Sequence, residues 1–266
     1  MNKYLKNLNR LEFVVTFACT GRCRHCSEGE HTGSGEHIDG DIAANAVREL
    51  CSEFGITSMM TFGGEPLLYP EAVCKIHSAA RDMGIPKRQL ITNGFFSKDN
   101  DKIRRVAKNL ADSGVNAVLL SVDAFHQETI PLDTVKFFAE AVKAAGVWIR
   151  TNPAWLVSKE DDNSYNIKTR EILSKFDKMG IERADGNIIF PSGNALKYLG
   201  EYFPDGAEQE NPYEENPEDI RAVSVCPNGD VLGGNLYKSH ILDIIENYSP
   251  FEPQKHCERN GQANGK

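Results

Sequence analysis

The sequence predicts an α/β protein built on a parallel sheet, and two features of the chain carry that prediction. Short, continuously apolar runs alternate with amphipathic helical stretches, and the helical stretches end in glycine at intervals of about 30 residues, the length of a βα repeat. Apolar runs that do not alternate suit strands covered on both faces, as parallel strands are. Six such units form either a curved partial barrel or a doubly wound sheet, and periodicity alone does not choose between them.

Taken in order, the strand-like runs are residues 11–18, 57–62, 88–92, 117–122, 147–151 and 187–190. Helical patterns lie between them at 42–54 before Gly55, 70–83 before Gly84, 98–113 before Gly114, 131–145 before Gly146 and 165–179 before Gly180. Glycine just past the last turn accepts the left-handed conformation that closes a helix. Pro70 and Pro131 fall near two first turns, where a missing amide proton costs nothing. Cys51 and Cys74 lie on apolar helix faces and read as core thiols.

Beyond residue 200 the character changes. Residues 201–219 are acidic with prolines at 204, 212 and 217, which suits an irregular lid or connector. Residues 222–232 then read as a β-hairpin turned at Asn228-Gly229. The expected division is therefore a core at 1–200 and a C-terminal lid and hairpin at 201–266.

Composition narrows the classes of function. The net charge of −8 advertises no basic surface, so nucleic acid is not an expected partner. No apolar run reaches membrane-spanning length, and residues 1–6 lack the apolar segment of a signal peptide, so a cytoplasmic protein is expected and a membrane is not. Seven cysteines, an odd number without a repeating framework, read as reduced thiols available to metal.

Each strand-like run ends in chemically loaded residues, and in both architectures sites form at the carboxyl ends of strands. After the first comes Cys19-Thr20-Gly21-Arg22-Cys23-Arg24-His25-Cys26, three thiols on a polar, glycine-containing loop. After the second comes Gly63-Gly64-Glu65-Pro66, and after the third Thr92-Asn93-Gly94. The fourth ends in Ser121-Val122-Asp123 with His126 beyond, the fifth in Arg150-Thr151-Asn152 and the sixth in Pro191-Ser192-Gly193-Asn194. The thiol loop has two readings by itself: a zinc site completed by His25 or a distant residue such as Cys226, or an iron–sulfur cluster with one iron left open.

The Cys-x3-Cys-x2-Cys of Cys19, Cys23 and Cys26, followed about 40 residues later by Gly63-Gly64-Glu65-Pro66 at a strand end, resembles the radical S-adenosylmethionine (SAM) superfamily. The resemblance covers residues 8–195 and implies a partial (β/α)6 TIM-like barrel, extended here by the C-terminal hairpin. It further implies a [4Fe-4S] cluster held by the three cysteines, SAM chelated on the open iron, and reductive cleavage to a 5′-deoxyadenosyl radical that takes hydrogen from a substrate. By the same resemblance Gly63, Gly64 and Glu65 receive the methionine end of SAM, and Asn93 becomes a pocket residue. Ser121 and Asp123 reach the ribose or the methionine carboxylate. Arg150 clamps a carboxylate of SAM or substrate, Asn152 faces the ribose, and the segment containing Ser192 flanks adenine. His126, with Asp123 beside it, is the candidate for proton exchange near the substrate.

Residues 222–232 resemble the hairpin of the SPASM or twitch cluster domains of peptide-modifying members, with a departure. Cys226 and Cys257 are two thiols, too few to ligate a second cluster, so one cluster and a degenerate hairpin over the mouth are expected. The substrate implied is a peptide or protein residue, with a small metabolite as the alternative and a non-catalytic iron–sulfur or zinc module as the competing class. The electron donor expected is a flavodoxin or ferredoxin.

Overall fold

A computed structural model of the chain describes residues 2–30, 35–204 and 215–251. Its elements are β1 (Arg10–Val14), α1 (Gly40–Glu53), β2 (Ser58–Phe62), α2 (Pro70–Asp82), β3 (Lys87–Thr92), α3 (Asn100–Asp112), β4 (Ala117–Leu120), α4 (Leu132–Ala144) and β5 (Trp148–Thr151). After these come β6 (Ala154–Trp155), α5 (Ser164–Asp177), β7 (Glu182–Arg183), β8 (Asn187–Ile188), α6 (Gly193–Leu199), β9 (Ala222–Val225), β10 (Asp230–Val231), β11 (Gly234–Asn235) and α7 (Ile241–Glu246). The main sheet has seven strands in the order β7-β5-β4-β3-β2-β1-β9. Every pairing in it is parallel.

Local chemistry accounts for the helix ends. Asp39 and Asp99 accept hydrogen bonds from the first-turn amides of α1 and α3, and Pro70 opens α2. Gly84, Gly114, Gly146 and Gly180 take positive φ just past α2, α3, α4 and α5, as the sequence predicts. Gly55 does not, because the chain already leaves α1 in an extended conformation at Phe54.

The outward strand residues pack beneath the helices. Leu11 and Phe13, Met59, Leu90, Val118 and Leu120, and Ile149 all belong to one core with α1, α2, α3, α4 and α5. Side chains alternate along a strand, so Glu12, Val14, Met60, Gln89, Ile91, Leu119 and Arg150 line the inner face. Cys51 and Cys74 pack against the outer core as expected.

The sixth and seventh strand positions differ from the sequence reading. The run at 187–190 contributes β8, which pairs with β6 in a separate two-stranded ladder. Ile189 then drops into a second core with Phe125, Leu156, Ala195 and Leu199. The position beside β5 in the main sheet is filled instead by the two exposed residues of β7. The expected hairpin at 222–232 is also redistributed. Its first arm becomes β9, paired parallel to β1, while the antiparallel hairpin is β10 with β11. A turn does form at Asn228-Gly229, with the Gly229 amide donating to the Cys226 carbonyl. Most of the acidic connector, and Cys257, lie outside the described residues. No helix among the described residues is long and apolar enough to cross a membrane.

Candidate functional site

The parallel sheet brings the loops after β1, β2, β3, β4 and β5 to one end of the molecule, and the cysteine loop is fastened there to the loops after β2, β3 and β4 and to the segment after β8. On one side, the Gly64 amide donates to the Thr16 carbonyl at 2.7 Å and the Glu65 amide to the Ala18 carbonyl at 2.8 Å. This approach explains both glycines. A Cβ on Gly64 would lie 2.2 Å from the Ala18 carbonyl oxygen, and one on Gly63, at φ +132°, would lie 2.5 Å from that of Thr16. On the other side, Asn194 donates from its backbone to Cys26 and from its carboxamide to the Cys23 carbonyl, while the Ser192 hydroxyl donates to the Ser27 carbonyl. Thr129 accepts from the Arg22 amide.

Glu65 is fully buried and joins the second loop to the third. Oε1 accepts from the Leu67 amide and from the Thr92 hydroxyl at 2.7 Å, and Oε2 accepts from the Asn93 amide at 2.9 Å. Burial pushes its carboxyl up to about 7 against the pull of these hydrogen bonds. The Asn93 carboxamide in turn reaches Thr20 and contacts Cys19 Sγ at 3.6 Å.

Two of the three thiols are held in the neutral form by their surroundings. Burial, then the nearby carboxylate of Glu65, pushes Cys19 up to about 11, and burial with Asp123 and the neighbouring thiols pushes Cys23 higher still. Thiolates here therefore need a positive centre to form. A Cβ on Gly21 would lie 3.2 Å from Cys23 Sγ and 3.8 Å from Cys19 Sγ, so glycine keeps the space between the two sulfurs open.

His25 and His126 crowd the same corner. One ligand atom from each lies within 4.8 Å of the other and of Cys23 Sγ, and their rings are 4.8 Å apart. His25 also packs on Phe125, and burial pushes its imidazole down to about 4. Asp123 is fully buried beneath them. It accepts from the backbone and Nδ1 of His126, at 2.9 and 2.8 Å, and from the Ala154 amide. Burial opposes its ionisation, but the two imidazoles and these hydrogen bonds outweigh that and hold the carboxyl below the usual range. Asp123 therefore holds His126 by both its backbone and its ring.

The remaining candidates are distributed along the same end. Ser121 and Asn152 follow β4 and β5 directly, their amides donating to the Thr92 and Leu120 carbonyls, and both are partly exposed. Arg150 lies one step deeper on the inner face. Its guanidinium sits over Trp148 at 5.1 Å, and its Nε is buried without a hydrogen-bond partner. Sequence reasoning missed Thr129 and marked Asn194 only as part of the strand end at 191–194; the polar groups of both hold loop backbone. No residue pattern signals such a target.

Fold and site together define a partial-barrel protein with a thiol-rich centre at the carboxyl ends of its strands. Residues 13–151 match the radical SAM superfamily, and the chain belongs to it. The GTP 3′,8-cyclase of Clostridium perfringens (strain SM101 / Type A) is 24% identical over 209 residues, 75% of this chain and 61% of that protein. The probable GTP 3′,8-cyclase of Methanocaldococcus jannaschii is 26% identical over 127 residues, 48% of this chain and 40% of that protein. The chain thus spans only part of the length of these relatives. Among solved structures, native anSMEcpe with bound S-adenosylmethionine superposes with a TM-score of 0.58 at 16% identity, covering 90% of this chain and 80% of that one. Streptococcus suis SuiB bound to precursor peptide SuiA gives 0.58 at 14%, covering 92% and 68%. At these identities the structural likeness is one of fold.

The chain is accordingly a member of a superfamily that uses a [4Fe-4S] cluster and SAM. The tail's likeness to a SPASM or twitch hairpin is not confirmed: β10 and β11 form an antiparallel hairpin, and β9 before it extends the main sheet.

Proposed function

We propose that Cys19, Cys23 and Cys26 hold the [4Fe-4S] cluster of this enzyme and that its substrate is a peptide or protein residue. The observation that carries the cluster assignment is the triad itself, on a loop fastened from both sides with a glycine gap between two of the sulfurs. When bound, the reduced cluster and SAM supply a 5′-deoxyadenosyl radical that removes hydrogen from the substrate. Around them Gly63, Gly64 and Asn93 shape the methionine end of the SAM site, with Glu65 fixing the loops that carry them. Arg150, with its unpartnered Nε, suits the SAM carboxylate, and Ser121 and Asn152 suit the ribose. Ser192 and Asn194 secure the cysteine loop beside the adenine end. His126, oriented by Asp123, is the side chain placed to exchange a proton with substrate.

Two observations favour a peptide over a nucleotide. The inner face balances Arg10 and Arg150 with Glu12 and Glu182, so it offers no excess of positive charge to a triphosphate. SuiB, whose fold covers 92% of this chain, is described with a precursor peptide bound, whereas the sequence relatives are named for GTP. The expected reductant is a flavodoxin or ferredoxin, and the expected location the cytoplasm.

The test is anaerobic reconstitution with iron and sulfide, reduction with dithionite, addition of SAM and measurement of 5′-deoxyadenosine. Production by the wild type, and its loss together with cluster iron in the Cys19→Ala, Cys23→Ala and Cys26→Ala variants, is the expected result. A reconstituted protein that binds metal and never cleaves SAM refutes the proposal. Co-expression with short peptides encoded beside the gene, read by mass spectrometry for modified residues, tests the substrate class.

A further inference from the structure

Besides the Arg150 Nε, the inner face of the sheet carries a second polar group that no described residue engages. Gln89 stands between Arg88, whose guanidinium caps the Ile85 and Gly114 carbonyls, and Leu90, which belongs to the helix-side core. Its side chain therefore points into the barrel. Its neighbours across the sheet are Met60 on β2 and Ala117 on β4, and Ile91 and Leu119 stand one inward step nearer the mouth. Gln89 is 5% exposed, and among the described residues its carboxamide makes no hydrogen bond. Its two donors and its acceptor are unused and face the lumen, so a ligand held there can pair with them. The small side chain of Ala117 leaves room beside it, with Trp148 next across the sheet.

We propose that Gln89 is a specificity-determining residue of the substrate site and that it recognises an uncharged amide edge, one N–H donor and one C=O acceptor side by side. A carboxamide pairs with such an edge in both directions at once, whereas a carboxylate or an ammonium satisfies only half of it. The apolar surroundings of Met60, Ile91, Ala117 and Leu119 add preference for an uncharged group. A peptide unit presents this edge, and so does the lactam edge of guanine. The shared chemistry is the assignment, and it rests on the proposal above that this face of the barrel holds substrate.

The test uses the oxidised, cluster-loaded protein with SAM bound, and saturation-transfer NMR with two probes: N-acetylglycinamide for the peptide unit and guanosine for the lactam. Binding of either probe, displaced poorly by methyl acetate, which lacks the donor, is expected. Transfer to N-acetylglycinamide identifies the peptide source, and transfer to guanosine alone identifies the nucleobase. The near-isosteric Gln89→Met should weaken that binding roughly tenfold while preserving cluster absorbance and 5′-deoxyadenosine formation without substrate. Equal binding of methyl acetate and the amide probes by the wild type, or unchanged binding in Gln89→Met, overturns the inference. The first comparison needs no variant. Loss of SAM cleavage in the wild type would instead refute the radical SAM chemistry, a separate outcome.

Discussion

Replacing Glu65 by glutamine separates two functions that the Gly-Gly-Glu-Pro loop could assign to this carboxylate, partner to the charge of SAM or fastener of loops. In the structure Oε1 accepts two hydrogen bonds and Oε2 one, from the Asn93 amide. In Glu65→Gln the oxygen can keep the Leu67 and Thr92 donors, which places the new NH2 against the Asn93 N–H. One buried donor then loses its acceptor, at a cost of about 1–3 kcal/mol. Asn93 carries the contact to Cys19, so the slackened loop should also lower iron retention. Urea denaturation of the metal-free protein, followed by iron content after reconstitution, reads both effects. The pH dependence adds a check on sign. The Glu65 carboxyl is raised to about 7 from an ordinary 4.5, so the folded wild type holds this proton more tightly than the unfolded chain between those values. Its stability contribution is full below pH 4.5 and falls as the pH rises through 7. The glutamine variant does not titrate there, so the stability gap between the two should widen as the pH is lowered from 8 to 5. An unchanged denaturation midpoint with lost SAM cleavage would refute the fastening argument and return Glu65 to the ligand.

Three further outcomes follow from contacts in the same structure. Gly64→Ala places a Cβ against the Ala18 carbonyl, and an overpacked backbone contact should destabilise by about 1–3 kcal/mol and reduce cluster loading, measured by denaturation and iron content. Asn194→Ala removes the bond to the Cys23 carbonyl and should cost about 1 kcal/mol, with faster loss of iron to a chelator. His77, fully buried on α2 with Thr61 at 2.9 Å, is pushed by burial to about 3 from 6.5. Between those values the unfolded chain binds the proton and the folded protein does not, so stability falls as the pH drops. A loss of about 2 kcal/mol from this group between pH 7.5 and 5 should be absent in His77→Leu, by urea midpoints at the two pH values.

The parts of the fold legible in the sequence are those where a local signal and a local cause coincide. Gly84, Gly114, Gly146 and Gly180 mark helix ends because the chain there takes positive φ, and the run feeding β4 is continuously apolar because both its faces are buried. The sheet edges are different. Glu182 and Arg183 are polar and exposed, so nothing in their composition marks a strand, while the more apolar run at 187–190 drew the assignment and delivers Ile189 to a second core. Val223 and Val225 alternate as any strand does, and their side chains hold no record of whether the partner is a hairpin arm or β1. The same limit applies at the site. The cysteines and glycines announce themselves by spacing; Ser192 and Asn194 are marked only by their place at a strand end, and Thr129 by nothing, because all three act on backbone groups of a loop remote in sequence.

The glycine pair carries this argument furthest. Close approach of a ligand is one reason for a backbone without Cβ, and the structure supplies another that acts before any ligand arrives. Gly63 and Gly64 lie against the carbonyls of Thr16 and Ala18, just before Cys19, and the next residue buries a carboxylate that holds Asn93, which touches Cys19 in turn. The first three loops are therefore one hydrogen-bonded unit, and displacing any of them moves the first cysteine. A substitution in the Gly-Gly-Glu segment consequently disturbs the thiol loop as well as the proposed SAM site. Activity alone cannot tell those effects apart, whereas iron content measured beside SAM binding can.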